Sequence, residues 1–161
     1  MKNGKGIILS ELTSVALNSN CVGDEISWQN EAYNYITYFQ LSDLDIRFAV
    51  DSIPLIYELD FALRAIEMQQ NQMIEIGEGI YLKLFFNKIN GMAVLVLGET
   101  NPQEVILISE QNPEVLKFFQ NMKTEICDSV FAVNPNLTDF FKKFPLEFYL
   151  QNHRYLPVNI S

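Results

Sequence analysis

The residues of this chain that could shuttle a proton, attack a carbonyl or hold a metal are few apart from its acids: one histidine, His153, two cysteines, Cys21 and Cys127, and twenty Asp and Glu. A Ser-His-Asp or Cys-His site needs an imidazole that works near neutral pH. His153 stands in Gln151-Asn152-His153-Arg154-Tyr155, a polar stretch after the last apolar helix residues, and reads as an exposed tail residue. The cysteines are 106 residues apart and fit neither a disulfide framework nor the paired spacing of zinc sites, so each reads as a free thiol. Metal sites built from His and Cys fail on supply, which leaves carboxylates. Asp43-Leu44-Asp45 looks like the opening of a calcium loop, yet Phe48 and Pro54 stand where that loop requires Gly and Glu. Carboxylate pairs for glycoside chemistry can be drawn from Asp43, Asp45, Asp51, Glu58, Asp60 and Glu67, but a chain with twenty acids always offers pairs. No catalytic residue, metal site or cofactor is expected, and the chain is not read as an enzyme.

Phosphate binding has no support either. Gly77-Glu78-Gly79 lacks the third glycine of a dinucleotide loop, and Gly4-Lys5-Gly6 is no Walker sequence. Nucleic acid requires a basic footprint, whereas residues Gly6 to Leu82 contain two positive side chains, Arg47 and Arg64. The charge that is present has the opposite sign and a definite place. Asp24 to Glu78 hold eleven acids against those two bases, a balance of −9 that equals the net charge of the whole chain, while nine acids and nine bases cancel elsewhere. A one-sided acidic field favours a basic partner and repels nucleic acid.

The elements that must position these acids belong to a chain of 161 residues, 48% hydrophobic and 19% charged, with twelve Phe, seven Tyr and one Trp. Such a composition folds without staples and reads as one domain over 1–161, with no linker, repeat or low-complexity tract. Lys2 and Lys5 precede an apolar run of only three residues, Ile7 to Leu9, too short for the h-region of a signal peptide. The longest apolar run, Met92 to Leu97, is the length of a strand and not of a membrane span, so the expected location is a reducing cytoplasm.

Residues Ile7 to Leu17 fit either a strand or an irregular helix. The aromatic and β-branched stretch from Asn34 to Gln40 predicts a strand, and Asp45 to Asp51 alternates with Ile46, Phe48 and Val50 on one face. Leu55 to Gln70 carries both periods. Ser52 as an N-cap, Pro54 in the first turn and an Asp60/Arg64 pair at i,i+4 favour the helix. Met73 to Ile76, Ile80 to Phe86, Met92 to Leu97 and Val105 to Ser109 predict an antiparallel meander, with Asn90-Gly91 as a hairpin turn. Asn112-Pro113-Glu114 opens a helix with Val115, Phe119, Met122 and Ile126 as its buried stripe, and a second helix begins at Asn134-Pro135 and meets Pro145. The expected fold is α+β: an antiparallel sheet covered by helices on one face.

Tyr33, Tyr35 and Tyr38 read as strand packing, or, together with Trp28, as exposed anchors beside the acids. The function expected from this pattern is an acidic protein-binding module that neutralises a basic partner, such as an immunity protein blocking a bacterial toxin or effector, for example a nuclease. Asp43, Asp45, Asp51, Glu58, Asp60 and Glu67 would meet the partner's cationic surface, with Trp28 and Tyr35 as anchors. The alternatives are a secretion chaperone or adaptor that holds an extended client in apolar grooves, and a merely solvated acidic domain of unrelated function.

Overall fold

Two antiparallel sheets enclose the main helices in the computed structural model, which describes residues 9–17, 26–41, 46–152 and 158–159. In chain order, Leu9–Ala16 forms β1, Trp28–Glu31 a one-turn helix α1, Tyr35–Leu41 β2 and Ile46–Asp51 β3. Helix α2 follows without a break over Ser52–Glu67. Gln72–Gly77 (β4), Ile80–Phe86 (β5), Asn90–Leu97 (β6) and Gln103–Gln111 (β7) then run as a meander into α3, Asn112–Val133. Leu137–Lys143 (α4), Leu146–Asn152 (α5) and Val158–Asn159 (β8) complete the order.

The smaller sheet has the order β1-β2-β3, and the larger the order β7-β6-β5-β4-β8. The α+β class and the meander are those expected from the alternation, and α2 and α3 cover one face of the larger sheet. The strands at 34–40 and 45–51 do not extend that meander. They pair with β1 as a separate sheet, and α2 and α3 each touch both sheets.

Register decides which residues face the helices. In the larger sheet Ile74, Leu82, Leu95 and Val105 lie side by side across β4 to β7 and are buried. In the smaller sheet Ser14, Thr37 and Val50 are aligned across the strands on the inward face and are buried. Helix α2 resolves its double periodicity simply: it is buried almost all round, with Ile53, Leu55, Ile56, Tyr57, Leu59, Ala62, Ala65 and Ile66 all in the core. A helix wedged between layers has apolar residues on positions that a one-sided helix would leave polar.

Three local expectations are corrected. Ser52 is not the N-cap of α2; Asp51 is, and its side chain makes no capping hydrogen bond. The Ser52 hydroxyl instead lies inside the core, 2.6 Å from Thr37 Oγ1 and 3.4 Å from Ser14 Oγ. Asp60 and Arg64 do not pair with each other, because neighbouring helices offer partners: Asp60 binds Lys123 of α3 and Arg64 binds Glu147 of α5. Asn90-Gly91 opens β6, and the turn before it is closed by Asn87, whose Oδ1 accepts from the N–H groups of Ile89 and Asn90. Trp28 lies in α1, which Ser27 caps through the Asn30 N–H.

The C-terminal helices form an aromatic wall. Trp28 lies within about 6 Å, centroid to centroid, of Tyr57, Phe140, Phe144, Phe148 and Tyr149. Tyr57 stacks on Tyr149 at 4.7 Å and donates a hydrogen bond to the carbonyl of Phe144, in the turn between α4 and α5. Phe144 and Pro145 separate the two short helices, as the proline predicts.

Candidate functional site

The acidic stretch between Asp24 and Glu78 does not fold into one face. Asp43 and Asp45 lie outside the described residues. Asp51 is exposed on the outward face of the smaller sheet, and partial desolvation of its carboxyl raises it above the ordinary aspartate range. Glu58 is 3% exposed, on a face of α2 that packs into the protein. Asp60 is half-buried and neutralised by Lys123. Glu67 is exposed in the last turn of α2, about 24 Å from Asp51 by the rise of a helix of this length. Of the four described acids among the six, burial removes Glu58, pairing occupies Asp60, and the length of the helix separates Asp51 from Glu67.

The expected aromatic anchors are corrected as well. Trp28 is 8% exposed and Tyr35 fully buried. The Tyr35 hydroxyl donates to Glu31 Oε2 at 2.9 Å and accepts from Asn134 Nδ2 at 2.9 Å, tying β2 to α1 and to the end of α3. Strand alternation explains the difference: Tyr35, Thr37 and Phe39 point inward, so Tyr38 points outward. Tyr33, in the turn before β2, is exposed as well.

Among the described residues the geometry gives nucleophile chemistry no support; Cys21 and His153 lie outside them. Burial pushes the Cys127 thiol up, against the pull of Lys123, which is the reverse of an activated cysteine. The buried hydroxyls Ser14, Thr37 and Ser52 bond one another, and Ser129 Oγ accepts from the Ser14 N–H at 2.8 Å. This group has no base within it and serves to fasten β1 and β2 to the helices. Among the described residues no group of three or more His, Cys, Asp or Glu is placed to hold a metal ion. No helix among them is long and apolar enough to cross a membrane.

A different set of residues does converge. On the face of the larger sheet turned away from the helices, Glu75 of β4 is aligned with Tyr81 of β5, Val96 of β6 and Glu104 of β7. Tyr81 donates to Glu99 Oε1 at 3.2 Å, and the Gly98 N–H donates to the Gly79 carbonyl at 2.8 Å, so the turns carrying Glu78 and Glu99 adjoin. Lys83 reaches from β5 over β6 to Glu104 at 3.1 Å. Val94, aligned with Lys83, and Val96, aligned with Glu104, lie on the same side of the sheet and are 5% and 6% exposed. Glu75 and Glu104 thus stand on one face of the sheet beside the turns that carry Glu78 and Glu99, with Lys83 the one base of that face among the described residues. The Tyr81 phenol is raised by desolvation, by its bond to Glu99 and by the charges of Glu99 and Glu75.

Sequence reasoning missed Glu99 and Glu104 because it counted them as balanced by distant lysines. The legible signal was the outward alternation of Glu75 in β4 and of Tyr81 and Lys83 in β5, which becomes a site only when the meander register sets them beside β7. Comparison with protein-family models, curated proteins and solved structures finds no significant match.

Proposed function

We propose that this chain is an acidic protein-binding module that captures a basic partner protein in the cytoplasm, in the manner of an immunity protein that occupies the cationic surface of a toxin or effector. One observation carries the reading: four carboxylates, Glu75, Glu78, Glu99 and Glu104, gather at one end of the outward face of the larger sheet, where the single base of that face among the described residues, Lys83, is already paired with Glu104. Acids gathered on one face sum their field and steer a cationic surface toward it. Tyr81, held by Glu99, supplies an amphipathic anchor.

The test is a capture experiment with the tagged chain at low salt, followed by release as salt rises. A basic protein should elute with salt, and Glu75→Lys combined with Glu99→Lys should slow its association about tenfold or more. The same substitutions at Asp51 and Glu67, away from these four acids, should have little effect. Capture unchanged by the Glu75 and Glu99 replacements would sink the proposal.

A second reading, an adaptor for an extended client, draws on β7. This strand is nine residues long and ends the larger sheet, so one edge of its backbone pairs with no strand among the described residues. The extra residue Leu107, opposite the step from Ala93 to Val94, bulges β7 and blunts that edge, which ranks this reading second.

A further inference from the structure

Strand β4 has β5 along one edge, and along the other it changes neighbour partway. At its start the C-terminal strand β8 pairs with it antiparallel, Val158 aligned with Met73 and Asn159 with Gln72. At its end β3 closes in: a Cβ on Gly77 would fall 2.7 Å from Cγ1 of Val50. The ladder fixes which backbone groups face this edge. The Asn87 N–H donates to the Asn90 carbonyl and the Gly79 carbonyl accepts from the Gly98 N–H, so the odd-numbered residues of β5 bond toward β6; the Phe86 N–H turns the other way, to Asn71 Oδ1. Gln72 and Ile74, aligned with Leu84 and Leu82, therefore bond β5, while Met73 and Glu75 aim their N–H and C=O groups at the opposite edge. Val158 meets those of Met73. Those of Glu75 meet no strand among the described residues. β8 thus holds this edge by one hydrogen-bonded pair and leaves the next position open.

We propose that β8 is an internal stand-in on a docking strip, residues 72–75 of β4, from which an extended, base-bearing segment of a partner protein displaces it by adding antiparallel to β4. The chemistry of that segment follows from register. A residue aligned with Glu75 shares its outward face at about 5.5 Å between Cα atoms, in the row of Tyr81 and Glu104, so a lysine or arginine fits there. The next residue, aligned with the fully buried Ile74, turns toward the helices, so an apolar one fits. An incoming strand that bonds both Met73 and Glu75 makes two hydrogen-bonded pairs where β8 makes one, which favours the exchange. The approach of Val50 to Gly77 ends the strip beyond Glu75. This contact rests on the reading of the chain as a captor of basic proteins, and gives the captured protein a local shape.

The probe is the peptide acetyl-Lys-Val-Val-Asn-Ile-Ser-amide, the C-terminal sequence of the chain itself with Leu156→Lys and Pro157→Val, so that in the register of β8 its lysine aligns with Glu75. It is titrated into the isotope-labelled full chain, with binding and amide hydrogen exchange followed by NMR. Val158→Pro removes the N–H that β8 gives to Met73, and this variant should bind the peptide about fivefold or more tighter than the wild-type chain. Bound peptide should slow exchange of the Glu75 amide. A peptide with Glu in place of Lys should bind about fivefold or more weakly, and Glu75→Lys should reverse that preference. Far-UV circular dichroism verifies that each variant is folded. Equal affinity in the wild-type and Val158→Pro chains overturns the proposal, as does protection along β7 in place of Glu75, or indifference to the sign of the first peptide residue. A chain that captures a basic protein and releases it with salt, yet gives no peptide protection at Glu75, loses the strand contact and keeps the capture reading; one that binds the peptide at Glu75 but captures no protein keeps the strip and loses that reading.

Discussion

Thr37 holds two buried hydroxyls at once, Ser14 at 3.0 Å and Ser52 at 2.6 Å, and so joins β1, β2 and the first turn of α2. Thr37→Val keeps the shape of the side chain and orphans its partners, and urea unfolding should register a loss of about 1–3 kcal/mol. Gly91 matters for a different reason. A Cβ there would lie 2.7 Å and 2.8 Å from the Phe86 ring and 2.9 Å from Asn112 Oδ1. Gly91→Ala should therefore cost about 1–3 kcal/mol through overpacking. Tyr57 gives the stability curve an alkaline limb. Burial and the charge of Asp60 raise its phenol well above the ordinary value of 10.0, so the folded state keeps a proton that the unfolded state releases. Its contribution is complete below about pH 10 and declines as pH rises beyond it. Denaturation midpoints should fall on the alkaline side of that value, with a shallower fall in Tyr57→Phe; an equal slope in both proteins would contradict the assignment. None of these roles was legible in sequence, because each depends on which residue of another element arrives beside the side chain.

At the scale of elements, the sequence carried more. The stripe Val115, Phe119, Met122 and Ile126 is the buried stripe of α3, extended by Val130, because a helix lying on a sheet edge and a neighbouring helix buries one row. The meander was legible because its two faces differ in polarity along most strands. What escaped was the partition of strands. Nothing in the alternation of β2 and β3 says that their third partner is β1 and not β4, since pairing over that distance is chosen by the helices that close between them. Turn chemistry was half legible: the Asn-Gly signal marked the correct hairpin, but the tight part of the turn is set by Asn87. The turn after β6 is stricter. Gly98 has φ of 87°, and Gly98→Ala should destabilise the protein by about 1 kcal/mol, measured as a lower thermal midpoint with no change in the spectrum of the native state.

On the scale of the whole molecule, a window with a charge of −9 becomes several separate sites: buried acids at Glu31 and Glu58, an acid spent on a lysine at Asp60, and exposed ones on both sheets. Linear charge density told the sign of the surface but not its geography, because adjacent strand residues face opposite ways. Crowding of carboxylates around Tyr81 strains the folded state through repulsion, so the thermal midpoint should rise by a few degrees as salt goes from about 0.01 M to about 1 M and the Debye length shrinks from about 30 to about 3 Å. A midpoint that falls over the same range would mean that the ion pairs Lys83/Glu104 and Asp60/Lys123 outweigh the crowding. One further consequence comes from the aromatic wall. The chain has a single indole, and four of the five rings that surround it among the described residues, Phe140, Phe144, Phe148 and Tyr149, belong to α4, α5 and the turn between them. Its fluorescence is therefore a built-in optical gauge of whether the C-terminal helices are seated: a red shift that precedes the loss of far-UV ellipticity would reveal them peeling away while the sheets still hold.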